Sequence, residues 1–245
     1  MNTLRAELRK ASTLPAVWAG LAVTFLGSIA VTVLNARHGG STPFETAFGS
    51  MPVGTVGSVV IGVVAFSSEY TANNADAGGG RQITTTLTMT PQRIRILLAK
   101  VLTIALLAVG SAAITLPTTI GIANLVVDSN APEVGFGDAI TRCLSGTLYW
   151  TLMALLAFAA TVVLRNGVIP LIAMIVNSSL VSVSFLLTKL TSLAFYLPDI
   201  AGLGLFPGVA RVEGGLDAVP GGLVMAGWAL LFCAAAGVVF TRRDA

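Results

Sequence analysis

The chain alternates between long apolar runs and shorter polar segments. A helix needs about 20 predominantly apolar residues to cross a bilayer, and six runs reach that length. We predict six transmembrane helices, at residues 15–34, 49–68, 96–127, 144–164, 167–187 and 221–240. The third run is longer than a span requires. We therefore expect it to begin in the cytosol, with Lys100 extending to the membrane interface and Pro117 bending the helix.

A further apolar stretch, residues 190–206, is not predicted to form a transmembrane helix. It contains Pro198, Asp199 and Gly202, which interrupt or weaken a membrane helix. A seventh span here would also send the basic C-terminal residues to the opposite side of the membrane from the basic N-terminus. We predict a re-entrant or interfacial hairpin between the fifth and sixth spans.

Composition determines the class of protein. Apolar residues make up 55% of the 245 residues and charged residues only 10%, whereas soluble domains have about 25% charged residues. Helices satisfy their own backbone hydrogen bonds in lipid. The sequence therefore predicts an all-α, polytopic integral membrane protein with a single transmembrane domain over residues 1–245.

The basic residues are distributed unequally across the predicted membrane. Ten of the 14 lie on the side of both termini: Arg5, Arg9, Lys10, Arg81, Arg93, Arg95, Lys100, Arg165, Arg242 and Arg243. The other four are Arg37, Arg142, Lys189 and Arg211. The positive-inside rule then places both termini in the cytoplasm. Because topology accounts for the net charge of +3, and no basic stripe with interleaved aromatic residues is present, we expect no nucleic-acid partner.

The N-terminal segment, residues 1–13, precedes the first apolar run. Leu4 and Leu8 are one helical turn apart and are surrounded by charged residues, a pattern that favours an amphipathic helix at the membrane surface. The alternatives are a plain basic flank of the first span and a cleaved signal peptide. The apolar run is longer than the 7–15 residues usual in signal peptides.

Motifs for catalysis and metal binding are missing from the sequence. No GxxxxGK[ST] phosphate loop is present, and Cys143 and Cys233 have neither a CxxC partner nor a neighbouring histidine. The single histidine, His38, follows the first span. We therefore predict a non-enzyme without a metal or cofactor of its own. We also expect no charged side chain deep in the bundle, which argues against an ion-coupled carrier.

Small and neutral polar residues occur within several of the spans. The second contains Gly57 and Ser58, and the fifth contains Asn177, Ser178, Val181 and Ser184. One interpretation is that they hold helices together. The other is that they line a path for an amphipathic peptide, a lipid-like molecule or a hydrophobic drug.

The polar segment 69–93 separates the second and third spans. Glycines at 78–80 interrupt the chain, and Arg81 to Thr90 can form one short helix before Pro91. A short helix at the cytoplasmic face offers a contact surface through which a soluble partner can move the membrane helices.

This segment resembles that of ABC-2-type (type V) permeases, the membrane subunits of bacterial ATP-binding-cassette exporters. The residues that carry the resemblance are Glu69-Tyr70, Gly80, Ile83-Thr84-Thr85-Thr86-Leu87, Pro91, Arg93 and Lys100. The six-span order, the amphipathic N-terminus and the apolar hairpin before the last span extend it over the whole chain. The resemblance implies that residues 84–90 form the coupling helix, the short helix that docks in a cleft of a separate ATPase. Residues 71–79 depart from the pattern as an insertion, which leaves open where this coupling helix begins.

The resemblance implies roles for particular residues. The ATPase-coupling set would be Glu69, Arg81, Ile83, Leu87, Met89, Pro91 and Arg93. Phe195, Tyr196 and Phe206 would form an exit gate. Because this apolar stretch cannot easily span the membrane, we expect these three side chains, together with Leu193 and Leu203, to be buried against the bundle. The second and fifth spans would line a path between two permease chains.

The resemblance also implies partners and a location. Two copies of a separate ATPase would bind ATP and Mg²⁺, and a second permease copy or a related permease would complete the path in the bacterial cytoplasmic membrane. Two rival functions remain open: a carrier or channel not driven by ATP, and a non-transporting sensor or immunity subunit.

Overall fold

The computed structural model describes residues 2–38, 42–69, 93–127, 135–178, 182–205 and 214–242. Within these ranges the regular structure is entirely helical. The helices are α1 (Asn2–Thr13), α2 (Pro15–Arg37), α3 (Pro43–Ser67), α4 (Arg93–Val126), α5 (Phe136–Leu164), α6 (Val168–Ser178), α7 (Val183–Thr188), α8 (Pro198–Leu203) and α9 (Ala218–Arg242). A 3₁₀ turn, Ser192–Tyr196, precedes α8. The prediction of an all-α fold is confirmed for the described residues.

Five of these helices, α2, α3, α4, α5 and α9, are long and apolar enough to cross a membrane. They correspond to the first four and the last of the predicted spans, and α4 continues through Pro117 as one helix. Helix α3 begins earlier than predicted, because Thr42 and Glu45 form a capping box that starts a helical turn at Pro43.

The fifth predicted span, 167–187, differs from the prediction. The structure contains two shorter helices in this window, α6 and α7, instead of one continuous helix. Ser182 has an extended backbone (φ −67°, ψ 118°), and its side chain accepts a hydrogen bond from the Phe185 N–H. This serine therefore acts as the N-cap of a new helix, a role that serine favours over an interior helical position.

Helix α3 lies at the centre of the bundle because its glycines allow other helices to approach closely. Gly57 faces the Gly20 carbonyl and Thr24 on α2, while Gly54 faces the Trp150 ring on α5. Gly62 lies against the Ala154 carbonyl, also on α5. Small residues at helix contacts are the usual means by which membrane helices pack.

The stretch predicted as a hairpin folds into the 3₁₀ turn and α8, and neither is long enough to cross a bilayer. Both elements pack against the long helices. A Cβ on Gly202 would lie 2.6 Å from the Tyr149 ring of α5, and the Trp228 indole of α9 donates to the Tyr196 carbonyl at 2.8 Å. Both contacts lie near the middle of their long helices.

Candidate functional site

Four charged side chains from three elements meet at one end of the bundle. Lys10 on α1 lies 2.6 Å from Glu69, which follows the last turn of α3. Lys100 on α4 lies 2.8 Å from the same Glu69 oxygen and 2.7 Å from Glu7 on α1. We call Glu7, Lys10, Glu69 and Lys100 the charge cluster. It joins α1 to the ends of the two helices that flank residues 70–92.

Local structure explains how these side chains converge. Pro15 at the start of α2 and an extended Leu14 separate α1 from the first span. Glu7 and Lys10 are three residues apart and therefore lie on one face of α1. Lys100 also donates to the Ala65 carbonyl at 3.3 Å, in the last turn of α3, where helical carbonyls lack an intrahelical partner.

The cluster is almost completely removed from solvent at its centre. The side chain of Glu69 is 0% exposed and that of Lys100 is 1% exposed. Lys100 was expected to extend to the membrane interface, and the structure shows its side chain buried within the protein. Two carboxylates are available inside the protein, so the ammonium group is paired there and does not have to reach water.

Glu69 has a perturbed pKa. Burial raises the pKa of this carboxyl, but the nearby charges of Lys100 and Lys10, with their hydrogen bonds, outweigh burial and leave the pKa below its ordinary value of 4.5. The carboxylate is thus held in its charged form. With two acidic and two basic members, the cluster carries no net charge.

The lowered pKa predicts how stability depends on pH. The contribution of Glu69 should be fully present above its ordinary value of 4.5 and should be lost as the pH falls through the lower value of the folded chain. We expect the melting temperature in detergent to show no loss from this group between about pH 8 and pH 5. Below about pH 5, the melting temperature should fall more steeply with decreasing pH in the parent chain than in Glu69→Gln. Equal acid sensitivity of the two chains would contradict the assignment.

A small cavity of about 10 Å³ adjoins the cluster, lined by Glu7, Lys10, Ala11, Leu14, Ala65, Lys100 and Thr103. This volume accommodates about one water molecule. The Thr103 hydroxyl is buried and has no hydrogen-bond partner among the described residues, which makes it the type of group that an internal water satisfies. The cavity is too small to be a transport site.

Arg93, at the start of α4, donates to the Phe240 carbonyl at 3.2 Å. It thereby joins the beginning of α4 to the last turns of α9, where a cation also complements the helix dipole. Of the predicted coupling set, the structure thus places Glu69 and Arg93 at the two flanks of the segment. The remaining members lie outside the described residues: Arg81, Ile83, Leu87, Met89 and Pro91.

The residues predicted to line a substrate path separate into two groups. Gly57 and Ser58 are buried inside the chain, with Gly57 at the contact with α2. Asn177 and Ser184 are hydrogen bonded to each other. Ser178 is partly buried at the end of α6, and Val181 lies outside the described residues. Asn177 and Ser184 were predicted to lie in one continuous fifth span, whereas in the structure they lie on α6 and α7, on either side of the N-cap at Ser182.

Asn177 connects the end of α6 to α8. Its Oδ1 accepts hydrogen bonds from the Ser184 N–H and hydroxyl, both at 3.1 Å. The backbone N–H is always a donor, so this contact fixes the orientation of the amide. The Asn177 Nδ2 therefore donates to Asp199, at 2.7 Å.

Asp199 is an acidic residue that the sequence prediction did not place inside the bundle. It is only 9% exposed and lies one turn before Gly202, which faces the Tyr149 ring near the middle of α5. The expectation of no charged residue deep in the bundle is therefore wrong at this position. The sequence does contain a pattern that could have located Asp199. An aspartate directly after a proline, inside an apolar stretch, indicates the start of a helix that packs among apolar residues.

The predicted exit-gate residues have different environments. Phe195 is partly buried, and its ring lies 3.3 Å from the position of a Cβ on Gly214. Tyr196 is 52% exposed and Leu193 is 75% exposed, which corrects the expectation that these two side chains would be buried against the bundle. The Tyr196 carbonyl accepts a hydrogen bond from the Trp228 indole of α9. Phe206 lies outside the described residues.

Comparison of the chain with protein-family models and with curated proteins finds no match.

Proposed function

We propose that this chain is the membrane subunit of an ATP-binding-cassette exporter, driven by a separate ATPase. The observation that carries the proposal is the charge cluster, which joins α1, α3 and α4 at both flanks of residues 70–92. The resemblance of segment 69–93 to ABC-2-type permeases agrees with this placement. The all-α bundle and its long apolar helices are consistent with a transport subunit.

In this proposal the ATPase acts on segment 69–93. A displacement of that segment reaches Glu69 directly through the backbone. Glu69 is paired with Lys10 and Lys100, so the ends of α3 and α4 and the whole of α1 move together. Substrate would be an amphipathic or hydrophobic molecule, such as a peptide, an antibiotic or a lipid-like compound.

The proposal includes the finer topology. Six spans would have both termini in the cytoplasm of a bacterium, with the interrupted helix α6–α7 as the fifth. Two permease chains would form the path, and two ATPase subunits would bind ATP and Mg²⁺. Phe195, Tyr196 and Phe206 would contribute to the exit gate.

Asp199 favours a second candidate, an ion-coupled carrier. Buried carboxylates within membrane bundles commonly bind protons or sodium ions, and interrupted helices commonly surround such sites. Transport assays in vesicles distinguish the candidates. Uptake into inverted vesicles that requires ATP and survives a protonophore and a sodium ionophore supports the exporter, whereas uptake that follows an ion gradient without ATP supports the carrier.

In this proposal Ile83, Leu87 and Met89 form an apolar ridge that docks in a cleft of the ATPase. The central test is a charge placed in this ridge. Leu87→Asp should weaken co-purification of the ATPase at least tenfold, about 1.4 kcal/mol, because a carboxylate would be desolvated against an apolar cleft. Insertion into the membrane should be unchanged, since no predicted span is altered. The measurement is the ATPase recovered per chain, together with ATP-driven transport.

Asn74→Asp is the matched control, because it adds the same charge within the insertion 71–79. It should retain the ATPase and transport. Normal ATPase recovery and transport by Leu87→Asp would refute the coupling assignment.

A further inference from the structure

The outward face of α1 is basic. Glu7, Lys10 and Ala11 point towards the bundle, whereas Arg5 and Arg9 are exposed. These two arginines are four residues apart and therefore lie one above the other on the helix surface. Neither makes an ion pair with a described residue.

The charge cluster determines the sign of this surface. At this end of the bundle the described acidic residues are Glu7 and Glu69, and both are paired with lysines. Their charges therefore do not offset the exposed arginines. Arg95, near the start of α4, is exposed as well. The described surface around α1 is consequently cationic.

Trp18 indicates the level of the membrane boundary. It is 59% exposed, and its indole N–H donates to the Ser12 carbonyl at 2.8 Å, so the polar edge of the ring faces α1. Exposed tryptophans are enriched at membrane interfaces. Leu26 and Leu34 are also exposed further along α2, which identifies an apolar outer surface on this span. The two arginines of α1 thus lie next to the boundary of the lipid-facing surface.

We propose that Arg5 and Arg9 form a binding surface for the headgroups of anionic phospholipids in the leaflet that contacts α1. Arginine pairs well with phosphate oxygens, and basic residues next to an anionic membrane surface each contribute to binding. The surface anchors α1 from outside while the charge cluster holds it from inside. This inference does not depend on the proposed ATPase.

Trp18 supplies the reporter for a test. The whole chain is reconstituted in phosphatidylcholine bilayers that contain dibrominated phosphatidylglycerol or, separately, dibrominated phosphatidylcholine. Bromine quenches nearby tryptophan, and subtracting the signal of Trp18→Phe isolates the contribution of Trp18. The parent chain should prefer the anionic lipid about fivefold or more, since each arginine contributes about that factor at low salt. The preference should weaken with added salt.

Arg5→Gln/Arg9→Gln should reduce the preference to near one, and the matched control Arg37→Gln should leave it unchanged. Arg37 is likewise exposed and lies at the other end of α2. Three outcomes would overturn the proposal: an unchanged preference in the double variant, an equal loss in the control, or loss of ATPase recovery from the double variant with lipid preference intact. The last would assign the arginines to a protein partner.

Discussion

Replacing Lys100 with Met is expected to lower the free energy of unfolding by about 3–5 kcal/mol. Lys100 is 1% exposed and pairs with both Glu7 and Glu69. The substitution leaves two carboxylates with one lysine, and the Glu69 side chain is 0% exposed, so bulk water cannot solvate its charge. Removing one member of a buried ion pair costs more than the pair itself contributes, because a buried charge remains. The measurement is thermal or denaturant unfolding of the purified chain in detergent.

Arg95→Met is the control, since Arg95 occupies the same helix but is exposed. It should change stability by less than about 0.5 kcal/mol. The double variant Lys100→Met/Glu69→Gln should recover much of the loss, because it removes a buried negative charge together with its partner. A loss in Lys100→Met no larger than that in Arg95→Met would show that the cluster contributes little. Failure of the double variant to recover would show that packing, and not charge, makes Lys100 important.

The membrane helices were predictable because hydropathy is a local property. Runs of about 20 apolar residues identify α2, α4 and α9 without knowledge of the fold. The interruption at Ser182 was harder to predict, since neutral polar residues such as Asn177, Ser178 and Ser184 also occur at helix contacts within continuous membrane spans. It depends on the Ser182 cap and on Asn177, whose amide binds the chain beyond the break.

The charge cluster was not predictable from sequence. Lys10 and Glu69 are 59 residues apart, and Lys100 and Glu7 are 93 residues apart. From the sequence alone, each of the four residues of the cluster is predicted to be a charged side chain that flanks a membrane span and is stabilised by solvent. Their pairing follows from the position of α1 against α3 and α4. The burial of Asp199 was missed for a related reason. Its hydrogen-bond partner, Asn177, lies 22 residues away on a different helix.

The close packing around α3 predicts a second large effect of a substitution on stability. Gly62→Leu should lower the free energy of unfolding by at least about 3 kcal/mol. An added Cβ at Gly62 would overlap the Ala154 carbonyl oxygen and would lie 2.9 Å from the carbonyl carbon. The obstacle is backbone and cannot rotate away, so α3 and α5 must separate. Separation would also disturb the neighbouring contact between Gly54 and Trp150. Gly62→Ala should show a smaller loss in the same direction.

Gly110→Leu provides the matched control, because no described atom outside the adjoining turns of α4 lies within 4 Å of a Cβ at Gly110. Leucine is a better helix former than glycine by up to about 1 kcal/mol, and at this exposed position it would meet lipid. We expect Gly110→Leu to be neutral or stabilising, so that the same substitution has opposite effects at the two glycines. Melting temperatures in detergent, with the yield of monodisperse protein, measure both. If the two variants were equally stable, α3 and α5 would not be in the close contact described here, and the central position of α3 would be wrong.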